Sequence, residues 1–151
     1  MTFSDLLQLA SERLGVEIED AGGAAGVEID GAPVVLQDAG GLLLLRAELG
    51  TIPAEGREAV LAAAMEANWL YQGTGGATLA LDPAGGGLGL QKYTWIDRLD
   101  AAAAFETLER FAATAAFWRK TLSDFVAAPG PAEEPATPPR ADGGSGRFLQ
   151  V

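Results

Sequence analysis

The side chains that most often carry out chemistry in proteins are largely missing from this sequence. It contains no histidine and no cysteine, which excludes the commonest acid–base and nucleophilic devices and every thiolate metal site. Three neighbouring carboxylates, Glu17, Glu19 and Asp20, could act as a pair or bind calcium. They lack the alternating acidic positions and the closing Glu of an EF-hand loop. The sequence therefore favours a solvated acidic loop over an acid–base pair.

Two clusters of glycine, at 73–76 and 85–89, raise the question of a phosphate cradle. Neither fits G-x-G-x-x-G or G-x-x-x-x-G-K-[ST]. Both stand at the ends of predicted strands, where glycine is ordinary turn chemistry. We therefore expect no catalytic site, no metal and no cofactor, and the chain is not predicted to be an enzyme.

The composition of the chain limits the kinds of molecule that it is expected to bind. The chain has 151 residues, enough for one domain with a core, and a net charge of -11. This acidity repels the phosphates of nucleic acids and of anionic membranes, so we expect neither as a partner. A basic or neutral polypeptide suits it better. Asp5 and Glu12 interrupt the N-terminus, which argues against a signal peptide and favours a cytoplasmic protein.

The elements that would position any site follow from hydrophobic periodicity. Helices are predicted over residues 3–14, 54–70 and 100–125, and strands over 27–30, 33–37, 42–49, 77–81 and 88–95. The order is α-β-β-β-α-β-β-α, which predicts an α+β fold with an antiparallel sheet of about five strands packed with three helices. Residues 1–127 form the predicted domain. Residues 128–151 form a predicted flexible Pro/Gly-rich tail, whose apolar end, 148–151, either docks back onto the domain or has no role.

Several apolar faces lack an obvious cover. The second predicted helix is apolar nearly all round, which suggests that a partner subunit covers one side. Asn68 lies on that helix and is either a hydrogen-bonded structural residue or one that sets register at an interface. Tyr93 and Trp95 share one face of a strand. Phe117 points away from the main stripe of the last helix, and it is either packed under a loop or an exposed contact.

A set of hydrophobic and turn residues recurs along the chain in a defined order. They are Phe3-Ser4-Asp5-Leu6-Leu7 with Leu14-Gly15, Leu42–Leu49 with Gly50 and Pro53, Ala67-Asn68, Gly75–Asp82, Leu88-Gly89-Leu90, and Phe105, Leu108-Glu109, Phe111 and Trp118. No single motif among them is specific, but their order and spacing, together with the size and acidity of the chain, form a specific pattern. Over roughly residues 3–125 this pattern resembles the class I type III secretion chaperones of the Tir-chaperone (CesT-like) family.

The resemblance implies a homodimer that holds the N-terminal chaperone-binding segment of an effector in extended form and keeps it secretion-competent. The alternative is a regulatory or assembly module that binds a folded secretion-apparatus partner. The residues predicted to bind the client are Phe3, Leu6, Leu7, Val27, Ile29, Val35, Leu43 and Phe117. The apolar stripe of the first helix is by default core, and the alternative is that part of it lines a groove for an extended peptide. The residues predicted at the dimer interface are Leu61, Met65, Asn68, Trp69, Tyr93 and Trp95.

Overall fold

The computed structural model describes residues 1–83 and 85–127. The predicted order of elements is confirmed. The predicted tail, 128–151, lies outside the described residues. The elements are α1 (Phe3–Leu14), β1 (Ala24–Ile29), β2 (Ala32–Asp38), β3 (Leu42–Thr51), α2 (Arg57–Asn68), β4 (Thr78–Leu81), β5 (Gly87–Trp95) and α3 (Ala101–Ala127), with 3₁₀ turns at Trp69–Tyr71 and Ile96–Arg98.

The five strands form one antiparallel sheet in the order β1-β2-β3-β5-β4. β3 is the central strand, which explains why it carries leucines on both faces. Leu43 and Leu45 point into the core, whereas Leu42 and Leu44 lie on the opposite face, where Leu42 pairs with Trp95. β1 and β4 are the two edge strands.

Helices α1 and α3 cover one face of the sheet and build the core with it. A box of two hydrogen bonds starts α1: Thr2 N–H donates to the Asp5 carboxylate, and Asp5 N–H donates to the Thr2 hydroxyl. Gly15, with φ of 68°, ends the helix. Leu6 and Leu108 are fully buried between the layers, and each such side chain contributes about 1.5–3 kcal/mol.

The predicted boundaries differ most from the structure at β1 and α2. β1 begins at Ala24, three residues earlier than expected, because small Ala and Gly residues hide the strand pattern. α2 spans Arg57–Asn68 instead of 54–70. Gly56 before it and Leu70 after it have positive φ values of 76° and 52°, which are incompatible with a right-handed helix. None of the described helices is long and apolar enough to cross a bilayer.

Candidate functional site

The outer edge of β1 is an open strand edge. Asp38 N–H donates to the Gly23 carbonyl at 2.8 Å, and the register places Ala24 opposite Gln37. In an antiparallel pair, alternate residues turn their backbone groups toward the partner strand. Those of Gly26 and Glu28 therefore point outward, where they have no partner among the described residues. Such an edge can accept an added strand.

A shallow cavity of about 500 Å³ lies alongside this edge. We call it the edge groove; its lining residues are Glu17, Glu19, Ala21, Ala24, Ala25, Gly26 and Val35. The loop and the two strands beside the groove, between Arg13 and Arg46, contain six carboxylates, and Arg46 lies across from Val35 in the register of β2 and β3. All six carboxylates are exposed. The chemistry of the groove suits an extended chain with apolar and basic side chains.

The predicted client-binding residues do not share one surface. Six of them, Phe3, Leu6, Leu7, Val27, Ile29 and Leu43, are buried in the core. A leucine with 0% exposure, such as Leu6 or Leu43, has no surface left for another chain. Val35 is half-buried and lines the edge groove. Phe117 is 61% exposed on α3, with its ring edge-to-face on Trp118. The assignment of all eight residues to the client remains a prediction.

The outward side of α2 presents large apolar side chains. Met65 is 74% exposed and Trp69, one turn later, is 71% exposed. Of α2 itself only Val60 and Ala64 are buried, so the helix is less covered within the chain than its composition suggests. Leu61, also predicted at the dimer interface, is half-buried against the core.

Asn68 joins α2 to the edge of β4. Its Nδ2 donates to the Leu79 carbonyl at 3.0 Å, and its Oδ1 accepts from Leu79 N–H at 2.9 Å. One side-chain amide thus satisfies the outward-pointing backbone pair in the middle of this edge strand, as a neighbouring strand would. The hydrogen-bonded structural role considered for Asn68 is present; its place in a dimer interface remains a prediction.

Tyr93 and Trp95 lie on the sheet face that α1 and α3 leave uncovered. They are 56% and 48% exposed and pair across the sheet with Leu44 and Leu42. The Arg98 guanidinium stacks over the Trp95 ring at 5.9 Å from its centroid. The predicted interface residues therefore fall into two groups, one on and just after α2 and one on this outer sheet face.

Lys92, on β5, is a half-buried ionisable residue. Burial lowers the pKa of Lys92, and the neighbouring charge of Arg110 lowers it further. Lys92 Nζ donates to the Gly75 carbonyl at 3.3 Å, which ties the turn after α2 to the sheet. Within residues 1–83 and 85–127, no three His, Cys, Asp or Glu side chains are grouped to hold a metal ion.

Sequence reasoning missed two features. Glu17 and Glu19, which the sequence analysis assigns to a solvated acidic loop, line the edge groove, and the missing Lys and Arg between 13 and 46 were the available signal. Leu70 and Tyr71, exposed just after α2, were not predicted at an interface. The sequence between 67 and 81 contains no charged residue, and this was the available signal.

A family model and several solved structures match this chain. The sequence matches the Tir chaperone protein (CesT) family over residues 5–119. No curated protein matches. The fold is similar to the structure of the HopA1-SchA chaperone-effector complex, with a TM-score of 0.61 and 22% identity, covering 81% of this chain and 93% of that one.

Two further solved structures share the fold. The ExsC-ExsE complex gives a TM-score of 0.64 at 22% identity, covering 78% of this chain and 91% of that one. The Yersinia pestis type III secretion chaperone SycH, in complex with a stable fragment of YscM2, gives a TM-score of 0.60 at 22% identity, covering 78% of this chain and 99% of that one. Because the family match extends over residues 5–119 of 151, the chain belongs to the Tir chaperone protein (CesT) family.

Proposed function

We propose that this protein is a cytoplasmic type III secretion chaperone that binds the N-terminal chaperone-binding segment of an effector in extended form and keeps it secretion-competent. The observation that carries the proposal is the open edge of β1 beside the edge groove. Family membership supports it, as does the likeness to chaperones solved in complexes with other proteins.

The client segment would add to β1 as a further strand. The outward N–H and C=O groups of Gly26 and Glu28 supply sequence-independent hydrogen bonds, and the groove receives alternate side chains. The carboxylates around it attract basic residues of the client and repel nucleic acid and anionic lipid. Val35 and Phe117 are proposed as direct contacts. The other six predicted client residues would shape the groove from behind, through the core.

Binding alone accounts for this activity, so we propose that the protein uses no catalytic step, no metal and no cofactor. A segment held in extended form is withdrawn from folding and aggregation by mass action. The acidity of the chain, with a net charge of -11, helps to keep such a complex dispersed.

We further propose that the working form is a homodimer assembled through α2, with Leu61, Met65, Asn68 and Trp69 at the contact and Tyr93 and Trp95 nearby. Two copies that each carry a charge of -11 repel one another unless they meet where charges are sparse. The sequence from 67 to 91 contains one charged residue, Asp82. Met65→Glu would place like charges across such an interface. Because the Met65 side chain is 74% exposed in the protomer, the protomer itself should tolerate the change.

Substituting Gly26 tests the strand-addition proposal. Gly26→Pro removes the outward N–H and places a ring on the open edge, a position where edge strands tolerate proline. Client affinity should fall at least about tenfold, since a backbone hydrogen bond and close approach are both lost. Gly26→Ala is the matched control: its Cβ meets nothing within 4 Å, and it keeps the N–H.

The measurement is calorimetric titration with the client segment, alongside circular dichroism to verify folding. A folded Gly26→Pro variant that binds the client as tightly as Gly26→Ala would show that the segment does not add to β1.

A further inference from the structure

Two basic side chains, Lys92 and Arg110, line a small cavity between β5 and α3. Its volume is about 170 Å³, and its lining residues are Lys92, Ala103, Glu106, Thr107 and Arg110. We call it the basic pocket. Lys92 continues the row of β5 side chains that includes the buried Leu88 and Leu90, so it points toward α3 and not toward the outer sheet face. The basic pocket is therefore a gap in the contact between the sheet and the helix that covers it.

The Lys92 ammonium has hydrogen-bond donors available for a ligand. Its Nζ donates to the Gly75 carbonyl at 3.3 Å. Among the described residues no carboxylate forms an ion pair with it, so two of its three N–H groups remain for another acceptor. Burial and the neighbouring charge of Arg110 both lower the pKa of Lys92. A negatively charged ligand would oppose both effects, because it favours the protonated form.

Arg110 supplies the second set of donors. One of its N–H groups donates to the Glu106 carboxylate at 2.5 Å, and the guanidinium has further N–H groups for a second acceptor. The Thr107 hydroxyl donates to the Ala103 carbonyl at 2.7 Å, so it is not available as a donor. The pocket thus combines two positive groups with one negative group, and it carries one positive charge in excess within an acidic chain.

A glycine turn holds the Lys92 ammonium at the pocket. A lysine side chain ordinarily extends its charged end into water. Here a Cβ on Gly76 would lie 3.3 Å from Lys92 Nζ, and a Cβ on Gly75 would lie 3.1 Å from Thr114 Oγ1. Both glycines have positive φ, at 59° and 83°. Their bare backbone lets the turn lie directly against Lys92 and α3.

We propose that the basic pocket binds one carboxylate group, the side chain of an aspartate or glutamate in a polypeptide that lies along α3. This carboxylate accepts hydrogen bonds from Lys92 and Arg110 together, and its single negative charge matches the excess charge of the pocket. The polypeptide is the client, so the naming of the partner rests on the proposed function. The inference adds an acidic position to a client whose basic side chains suit the edge groove.

Phe117 favours a polypeptide over a small free carboxylate. Seven residues separate Arg110 from Phe117, so the two lie on the same side of α3, about 10 Å apart along its axis. Phe117 is 61% exposed. An extended chain covers about 10 Å in three residues. The ligand should therefore carry an apolar side chain about three residues from the acidic one.

The test uses a capped peptide with one glutamate and one leucine three residues apart, the same peptide with glutamine in place of glutamate, and acetate. The sequence contains two lysines, Lys92 and Lys120, so NMR signals of the lysine Cε atoms report on the pocket directly. Lys120 is paired with Asp124 and serves as the internal reference. The glutamate peptide should shift the Lys92 signal alone, and the glutamine peptide should bind at least about tenfold more weakly. Phe117→Ala should weaken binding of the glutamate peptide severalfold and leave binding of acetate unchanged.

Two substitutions that remove the same charge separate the pocket from the overall charge of the chain. Glu106→Gln removes the negative group from the pocket, so the glutamate peptide should bind about twofold to fivefold more tightly. Glu109→Gln, at an exposed residue of α3 outside the pocket, is the control and should leave the affinity unchanged. Lys92→Gln should weaken binding at least about tenfold, whereas Lys120→Gln should not. Circular dichroism verifies that each variant is folded, and backbone amide signals replace the Lys92 signal where it is absent.

The outcomes separate the pocket from the proposed function. Equal binding of the glutamate and glutamine peptides, or equal effects of Glu106→Gln and Glu109→Gln, would show that the pocket does not recognise a carboxylate. Acetate that binds as tightly as the glutamate peptide would overturn the polypeptide as ligand. If the peptide binds as expected but the chain binds no effector segment, the pocket stands and the proposed function fails. If an effector segment binds Lys92→Gln and the unmodified chain equally, the client is not the partner of the pocket and the proposed function stands.

Discussion

Asn68 shows how one side chain can substitute for a strand. Its amide donates to and accepts from Leu79 at 3.0 and 2.9 Å, and it does so at the edge of β4. The unpaired backbone groups of an edge strand can form hydrogen bonds with another chain. Because this edge is occupied at its centre, the longer edge that lacks such a substitute is on the opposite side of the sheet, at β1.

Asn68→Leu should therefore destabilise the protomer. The change leaves both backbone groups of Leu79 without their partner, and an unsatisfied group of this kind costs about 1–3 kcal/mol. Urea unfolding followed by circular dichroism measures the effect. Gln8→Ala, which removes only an exposed hydrogen bond to Glu12, is the control and should change stability by less than about 0.5 kcal/mol. Equal stability of Asn68→Leu and the unmodified chain would contradict this account of Asn68.

The order of the helices and strands could be predicted from the sequence. Which face of each element packs into the core and which contacts a partner could be predicted only in part. Hydrophobic periodicity located the three helices and the five strands. Periodicity cannot distinguish a stripe that faces the core from one that faces a partner, because both use the same residue types. The α1 stripe lies in the core. Its pattern alone could not separate this arrangement from the predicted client groove.

The boundary of α2 shows a second limit. Its apolar pattern continues to Leu70, but the helix ends at Asn68, where side-chain and turn hydrogen bonds from β4 and α3 hold the chain. Those partners are distant in sequence, so no local pattern reveals them. The start of β1 was hidden likewise, since its Ala and Gly residues have weak strand preference.

A pair of substitutions separates core from contact surface. Leu7→Asp should unfold the protomer, because Leu7 is 5% exposed and the change costs about 3 kcal/mol or more in lost packing and buried charge. Phe117→Asp should leave stability within about 0.5 kcal/mol, since exposed sites tolerate substitution, while weakening client binding severalfold. Thermal unfolding and client titration together measure both effects. A Leu7→Asp variant that folds but fails to bind the client would show that the α1 stripe contacts the client directly.

The whole molecule divides its surface by charge. The region between Arg13 and Arg46, which includes β1 and β2, carries carboxylates and no basic residues, whereas the sequence from 67 to 91 carries a single charge. The first region suits an extended segment with basic side chains, and the second suits another acidic copy of the chain. The two proposed surfaces therefore attract different partners, so client binding and dimer formation need not compete.

Client binding by a dimer can be tested through the mass of the purified complex. The chain would be co-expressed with the N-terminal segment of a type III effector from the same cell, purified, and examined by native mass spectrometry and limited proteolysis. We expect two copies of the 15.5 kDa chain with one segment, and a segment that resists cleavage in the complex but is degraded when alone. A chain that binds only a folded partner, and leaves every effector segment unbound and unprotected, would contradict the proposal.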